Sequence, residues 1–389
     1  MKKPFESLCL NQFASPGIRR SSAIPTEKTK MVQFSVLFNG LAKNILVKNG
    51  KKSRSDVGRE AADALAKEAR KNDLMLSSSG TVNGERSDNF VSVFSKGVKK
   101  GVNQDCLIVW EIFCGIFDGH GPWGHLVAKS VRKLMPSSLL CNGQETLALN
   151  SLDLNSSTEP DKSLHQFDIW KQSYLKTCSA IDQDLQQHPG IDSFHSGTTA
   201  LTIGDLIVIA NIGDSRAVLA TISDDVCLVP LQLTVDLKPN LPQETERIRQ
   251  SKGRVFAMLD EPGVYRVWLP NGEASGGPGL AISRAFGDYY IKGFGLISEP
   301  EITQRNITCR DRFVILATDG VWDVLSNREV VEVVSSTPER EESANRLVQH
   351  AICAWKRKKP GMAVDDISAI CLFFHNSTSS QTVDTIKLP

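Results

Sequence analysis

Two short apolar runs in this chain end in the same way. Ile112-Phe113-Cys114-Gly115-Ile116-Phe117 leads straight into Asp118-Gly119-His120-Gly121, and Phe313-Val314-Ile315-Leu316-Ala317-Thr318 leads into Asp319-Gly320-Val321-Trp322-Asp323. Short continuous apolar runs bounded by turn residues read as buried strands. A buried strand end is rigid, so each tip fixes a carboxylate, and the glycine that follows lets another atom approach closely. Two such tips in one chain point to a built site for a hard cation.

The bulk properties narrow the partners. The chain has 389 residues, enough for one large domain or two average ones. Charged residues make up 23%, hydrophobic residues 41%, and the formal net charge is +1. That is the composition of an ordinary soluble globular protein, expected to be a monomer, and it makes no case for nucleic acid or an anionic membrane as partner. The nine cysteines are odd in number and scattered, with no Cys-x-x-Cys. This argues against a disulfide framework or a structural zinc and for a reducing compartment, cytoplasmic and/or nuclear. Pro4-Phe5-Glu6-Ser7 is not the apolar centre of a signal peptide, and Lys2 excludes N-myristoylation. The longest apolar stretch, Cys106 to Phe117, contains Glu111 and is too short to span a bilayer.

Residues 1–89 read as a basic, Ser/Lys-rich extension, largely disordered. Lys48, Lys51, Lys52, Arg54 and Arg59 form a basic run that is either a solvated surface or an import or docking patch, and Ala61 to Arg70 is a candidate isolated helix. Residues 90–376 read as one domain, followed by a tail over 377–389. Trp123 to Leu134 has helical spacing and stops before Pro136; Cys141 to Asp161 is polar and reads as a surface insertion. Leu164 to Leu185 reads as a longer amphipathic helix. Strands follow over Thr198 to Ile203, Leu206 to Asn211, Ser215 to Ile222 and Val226 to Leu233. A helix is expected over Pro242 to Ser251 with Asn240 as its cap, then an irregular flap over Gly263 to Gly279. Arg328 to Ser335 and Pro338 to Arg357 are helical, and Ile367 to Phe374 is a last buried strand. Neighbouring strands with segregated helices indicate an α+β fold.

Acidic residues recur beside the expected strand ends: Asp105, Asp118, Asp214, Asp319, Asp323 and the pair Asp365-Asp366. A single Asp in a turn says little, because Asp is a turn former. Several gathered at one place repel and raise each other's pKa unless a cation sits among them. All-oxygen ligands suit Mg²⁺, Mn²⁺ or Ca²⁺, and two such ions about 4 Å apart can activate water and clamp a phosphoryl group. Gly119-x-Gly121-x-x-Gly124 matches a dinucleotide fingerprint, but Asp118 before the first glycine would repel pyrophosphate, and no second strand ending in an acid follows.

Taken in order, Phe117-Asp118-Gly119-His120-Gly121, Ser196-Gly197-Thr198-Thr199-Ala200, Gly213-Asp214-Ser215-Arg216, Ser283-Arg284-Ala285-Phe286-Gly287-Asp288, Ala317-Thr318-Asp319-Gly320-Val321-Trp322-Asp323 and Asp365-Asp366-Ile367-Ser368 resemble the metal-dependent protein phosphatases of the 2C class. The resemblance runs from Val91 to His375 and is most like the plant members. It implies two antiparallel β-sheets in a central sandwich flanked by helices, with a binuclear Mg²⁺/Mn²⁺ site at one end. By matching motif, Asp118 bridges both ions, the Gly119 carbonyl binds one, Asp319 and Asp365 complete the other, and Asp105 acts through water. Asp214 and Asp323, with Asp319, match a weaker third site. His120 matches the general acid for the leaving alkoxide, and the nucleophile is a metal-bound hydroxide. The implied substrates are proteins carrying phosphoserine or phosphothreonine.

Two departures stand out. Lys100 occupies a position where many members have Arg; it attracts phosphate as a point charge, without the bidentate fork. Only residues 106–117 separate Asp105 from Asp118, and they form one unbroken apolar run. If the two carboxylates pair across a hairpin, its turn falls at Glu111-Ile112, where β-branched Ile112 resists positive φ. The expectation is therefore an irregular loop over Trp110 to Phe113. The alternative reading is a catalytically weak relative that acts by binding partners.

Overall fold

A computed structural model describes residues 79–83, 90–97, 101–110, 113–153, 162–204, 207–271 and 279–374. The basic run, the candidate helix at Ala61 to Arg70, Lys100 and the tail after 374 lie outside the described residues.

In chain order the strands and helices are β1 Ser79–Asn83, β2 Phe90–Lys96, β3 Cys106–Trp110, β4 Phe113–Phe117, β5 Gly119–His120, α1 Gly124–Asp153 and α2 Lys162–Gln187. Then come β6 Gly197–Thr198, β7 Ala200–Ile203, β8 Val208–Ile212, β9 Arg216–Ile222, β10 Leu228–Gln232, α3 Pro242–Gln250, β11 Arg254–Ala257 and β12 Tyr265–Trp268. The remainder is β13 Phe286–Gly287, α4 Tyr289–Lys292, β14 Glu301–Gln304, β15 Asp311–Ala317, α5 Asp319–Trp322, α6 Asn327–Ser335, α7 Ser343–Lys358 and β16 Ile367–Phe373.

Two antiparallel sheets carry the fold. One has six strands in the order β1-β2-β16-β15-β9-β10; the other has five, β14-β8-β7-β4-β3. Strand alternation assigns each face of the six-stranded sheet. Val314 and Leu316 of β15, with Ala217 and Leu219 of β9, join the core shared with the five-stranded sheet, α1 and α2. Phe313, Ile315 and Ala317, with Val218 and Ala220, turn to the other side and pack on α6 and α7. The result is a sandwich with helices on both outer faces, as expected of the α+β class.

Several local expectations need correction. Helix α1 does not stop at Leu134 but runs on through Pro136 to Asp153, taking in much of the stretch read as an insertion. Proline inside a helix costs about 3 kcal/mol. Packing offsets it here: Leu139 and Leu140 are buried, and Asn142 Nδ2 donates to Thr177 Oγ1 of α2 at 2.9 Å. Helix α3 begins with Leu241, not Asn240, as its cap, and no side chain caps it; Pro242 at the first position supplies the start. The first part of the expected flap is ordered, because β12 pairs with β11 from Arg254↔Trp268 to Ala257↔Tyr265. Residues 272–278 lie outside the described residues. Strand β1, within the stretch read as the extension, pairs along its length with β2.

The hairpin also departs from expectation. Trp110 and Phe113 are paired strand residues, and the register runs without a shift from Trp110↔Phe113 to Cys106↔Phe117. Pairing persists to the turn because Val109, Phe113 and Cys114 are all buried in the shared core. Glu111 and Ile112 lie outside the described residues. The weakened hairpin that motivated the alternative reading finds no support in the described strands.

Candidate active site

Register brings the acids to one end of the sandwich. Because β3 and β4 pair as Cys106↔Phe117, Asp105 enters one strand beside the point where Asp118 leaves the other. Strand β15 pairs with β9 as Ala317↔Arg216 and with β16 as Ala317↔Ala369. Asp319, Asp214 and Asp365 therefore emerge at neighbouring strand ends. Asp319 opens the single turn α5 and Asp323 closes it, with the Asp323 amide donating to the Asp319 carbonyl at 2.8 Å.

The backbone around Asp118 is held on both sides. Its amide donates to Thr199 Oγ1 at 3.1 Å, and its carbonyl accepts from Thr199 N at 2.9 Å and Thr198 Oγ1 at 3.0 Å. Gly119 then passes against the first turn of α1: a Cβ there would stand 2.5 Å from the Gly124 carbonyl oxygen. The three glycines of the rejected dinucleotide pattern thus have a packing reason.

Burial and like charge dominate the electrostatics. Asp105 is 5% exposed; Thr318 Oγ1 donates to its Oδ2 at 3.0 Å, and its Oδ1 is buried without a partner. Burial, with help from Asp366 and Asp365, pushes the Asp105 carboxyl up to about 7. Asp118 is held well above the usual carboxylate range by burial and then by the charges of Asp105, Asp319, Asp365 and Asp214. Asp319 is raised in the same way, by burial and by Asp214, Asp365 and Asp323, with Lys238 opposing; its Oδ1 too is buried and unpartnered. Asp365 stands at the exposed rim, yet its carboxyl is raised by desolvation and by its acidic neighbours. It accepts from the Asp366 amide at 2.8 Å, while Asp366 itself accepts from the Gln104 amide at 2.8 Å.

The remaining acids have cations of their own. Lys238 Nζ donates to Asp214 Oδ2, and Lys359 Nζ donates to Asp323 Oδ2 at 2.8 Å. Burial alone would lower the Lys238 ammonium, but Asp214 overrides it and raises the pKa. Among the described residues no three His, Cys, Asp or Glu side chains close by themselves into a coordination group. The donor set nonetheless fits a hard divalent ion: all oxygen, crowded, net negative, with two buried oxygens that lack a hydrogen bond among the described residues.

His120 lies on β5 beside this cluster. Its Nε2 is 2.6 Å from Asp288 Oδ2. Burial would lower the imidazole pKa; Asp288 overrides burial and holds it above the ordinary value, with Asp214 adding to the effect. Gln104 Nε2 donates to the Gly121 carbonyl at 2.8 Å, bracing the loop after His120. Sequence reasoning missed three of these partners. Asp288 was visible as the last residue of a motif, without a role; Lys238 and Lys359 carried no signal at all.

Residues 80–358 match the family model described as Protein phosphatase 2C. The chain belongs to the protein phosphatase 2C family. Probable protein phosphatase 2C 34 of Arabidopsis thaliana is 59% identical over 366 residues, covering 91% of this chain and 100% of the relative. Probable protein phosphatase 2C 48 of rice, Oryza sativa subsp. japonica, is 51% identical over 366 residues, covering 90% and 100%. A crystal structure of serine-threonine phosphatase 2C from Toxoplasma gondii superposes with a TM-score of 0.63 at 21% identity, covering 76% of this chain and 98% of that one, and shows the shared fold. This chain is thus a plant-type protein serine/threonine phosphatase. No helix among the described residues of this phosphatase is long and apolar enough to cross a membrane.

Proposed function

We propose that the phosphatase hydrolyses phosphoserine and phosphothreonine in proteins at the carboxylate-lined end of the sandwich, with Mg²⁺ or Mn²⁺ held there. The observation that carries this reading is the pair of buried, unpartnered oxygens, Asp105 Oδ1 and Asp319 Oδ1, among carboxylates that raise one another's pKa. Such a group needs positive charge to be stable when ionised.

Asp118, the Gly119 carbonyl, Asp319 and Asp365 would hold two ions, with Asp105 in support beside them. Asp214 and Asp323, together with Asp319, would hold a weaker third. Bound there, the ions supply an activated water and neutralise charge on the phosphoryl group. The Thr198 and Thr199 bonds fix Asp118, and Thr318 fixes Asp105, so the ligands need little rearrangement. His120 donates a proton to the leaving serine or threonine oxygen. Lys100 draws the phosphate in as a point charge.

A phosphothreonine peptide assay with Mn²⁺, with EDTA, and with Mn²⁺ restored tests the reading. Phosphate release that disappears with EDTA, returns with Mn²⁺ and is lost in Asp319→Ala is the expected result. Release that survives EDTA, or is unchanged in Asp319→Ala, contradicts it.

A further inference from the structure

The three-stranded sheet β13-β6-β5 is too small to serve as core, yet it has a clear geometric effect. Gly197 of β6 pairs with His120 of β5 on one side and with Gly287 of β13 on the other. His120 and Asp288 therefore meet across Gly197. A Cβ at residue 197 would stand 2.1 Å from Asp288 Oδ2 and 2.7 Å from His120 Nε2. Only glycine lets the two side chains close to 2.6 Å.

Asp288 is held at some conformational cost. It is 1% exposed and adopts a left-handed backbone, φ 54° and ψ 45°. A non-glycine residue in that region is disfavoured and persists only when its surroundings fix it. Here the Asp288 amide donates to the Ser196 carbonyl at 3.0 Å. Asp182 of α2 clamps the same segment from behind. Its Oδ1 accepts from the Gly287 amide at 3.1 Å, its Oδ2 accepts from Lys292 Nζ, and its carbonyl accepts from the Tyr289 hydroxyl. A strained, buried acid with this much support is aimed at one atom, the Nε2 of His120.

We propose that Asp288 is the positioning residue for His120. It holds the ring by Nε2 and leaves Nδ1 as the nitrogen that serves the leaving oxygen. The inference rests on the general-acid reading of His120 given above. As the bond from phosphorus to the serine or threonine oxygen breaks, its electron pair stays on that oxygen, which takes the Nδ1 proton. The ring becomes neutral and keeps its other proton on Nε2, donated to Asp288. The attacking water gives its oxygen to phosphorus and returns a proton to the ring. The products are the free hydroxyl and inorganic phosphate.

The test compares Asp288→Asn with His120→Asn on two substrates at saturating Mn²⁺. Asparagine is close in shape to aspartate and tolerates the left-handed backbone, so the variant keeps the local fold. A phosphothreonine peptide has a leaving group that needs a proton; para-nitrophenyl phosphate has one that does not. Both variants are expected to lose kcat on the peptide by about 100-fold, with peptide KM little changed and a much smaller loss on the aryl phosphate. If His120→Asn shows this selectivity and Asp288→Asn falls equally on both substrates, or on neither, the inference is overturned while the acid role of His120 stands. If His120→Asn itself shows no selectivity, the acid reading fails and takes the inference with it.

Discussion

The inner and outer acids of the site differ in what neutralises them. Burial and neighbouring acids push Asp105, Asp118 and Asp319 upward, and two of them keep a buried oxygen with no hydrogen bond among the described residues. Asp214 and Asp323 carry the same side chain but face Lys238 and Lys359. Among the described residues each outer acid thus has a lysine in direct contact and none of the inner three does, although the Lys238 charge still reaches Asp319 through space. On the proposed reading the inner acids take a guest ion, and the outer ones keep their lysines when no ion is present.

That contrast can be broken by substitution. If Asp319 holds an ion as proposed, Asp319→Asn should lower kcat on a phosphothreonine peptide by about 100-fold or more, because such a ligand supports several kcal/mol of transition-state stabilisation. Asp214→Asn should cost less, about 10-fold, or roughly 1.4 kcal/mol, because Lys238 already balances that carboxylate. Equal losses in the two variants would erase the distinction between inner and outer acids.

A pH series sharpens it further. Burial pushes the Asp105 carboxyl up to about 7 from its ordinary value of 3.8. Between those values the folded state holds the extra proton, so its contribution to stability is full below the lower value and is lost as pH rises through the upper one. The unfolding temperature with EDTA should fall from pH 5 to pH 8, and saturating Mn²⁺ should remove most of that fall. The smallest effect belongs to Asp323→Asn. Asp323 is exposed, and exposed pairs contribute little, so peptide kcat should stay within about twofold.

The inner site was legible because its two key acids end continuous apolar runs, and period and apolarity are local properties of the sequence. The outer partners were not. Lys238 meets Asp214 only because β8, β9 and the segment after β10 cross between the two sheets, which no local pattern encodes. Pro136 misled for a related reason: a helix breaker by itself, it is overridden by the packing of α1 on α2. Asp288 stood in a readable motif, but its partner lies 168 residues away and its backbone conformation depends on Ser196 and Asp182. The hairpin at 106–117 was judged by its turn alone; burial of the strands on either side keeps the register to its end.

The central claim is that the inner carboxylates are destabilising to one another until a divalent ion joins them. Thermal unfolding of wild type and Asp118→Asn at pH 8, each with EDTA and with Mn²⁺, tests it most directly. With EDTA the variant should unfold at the higher temperature, because one crowded charge is gone; with Mn²⁺ wild type should gain more and the order should reverse. A variant that is less stable under both conditions, or a wild type that Mn²⁺ leaves unchanged, would contradict the account.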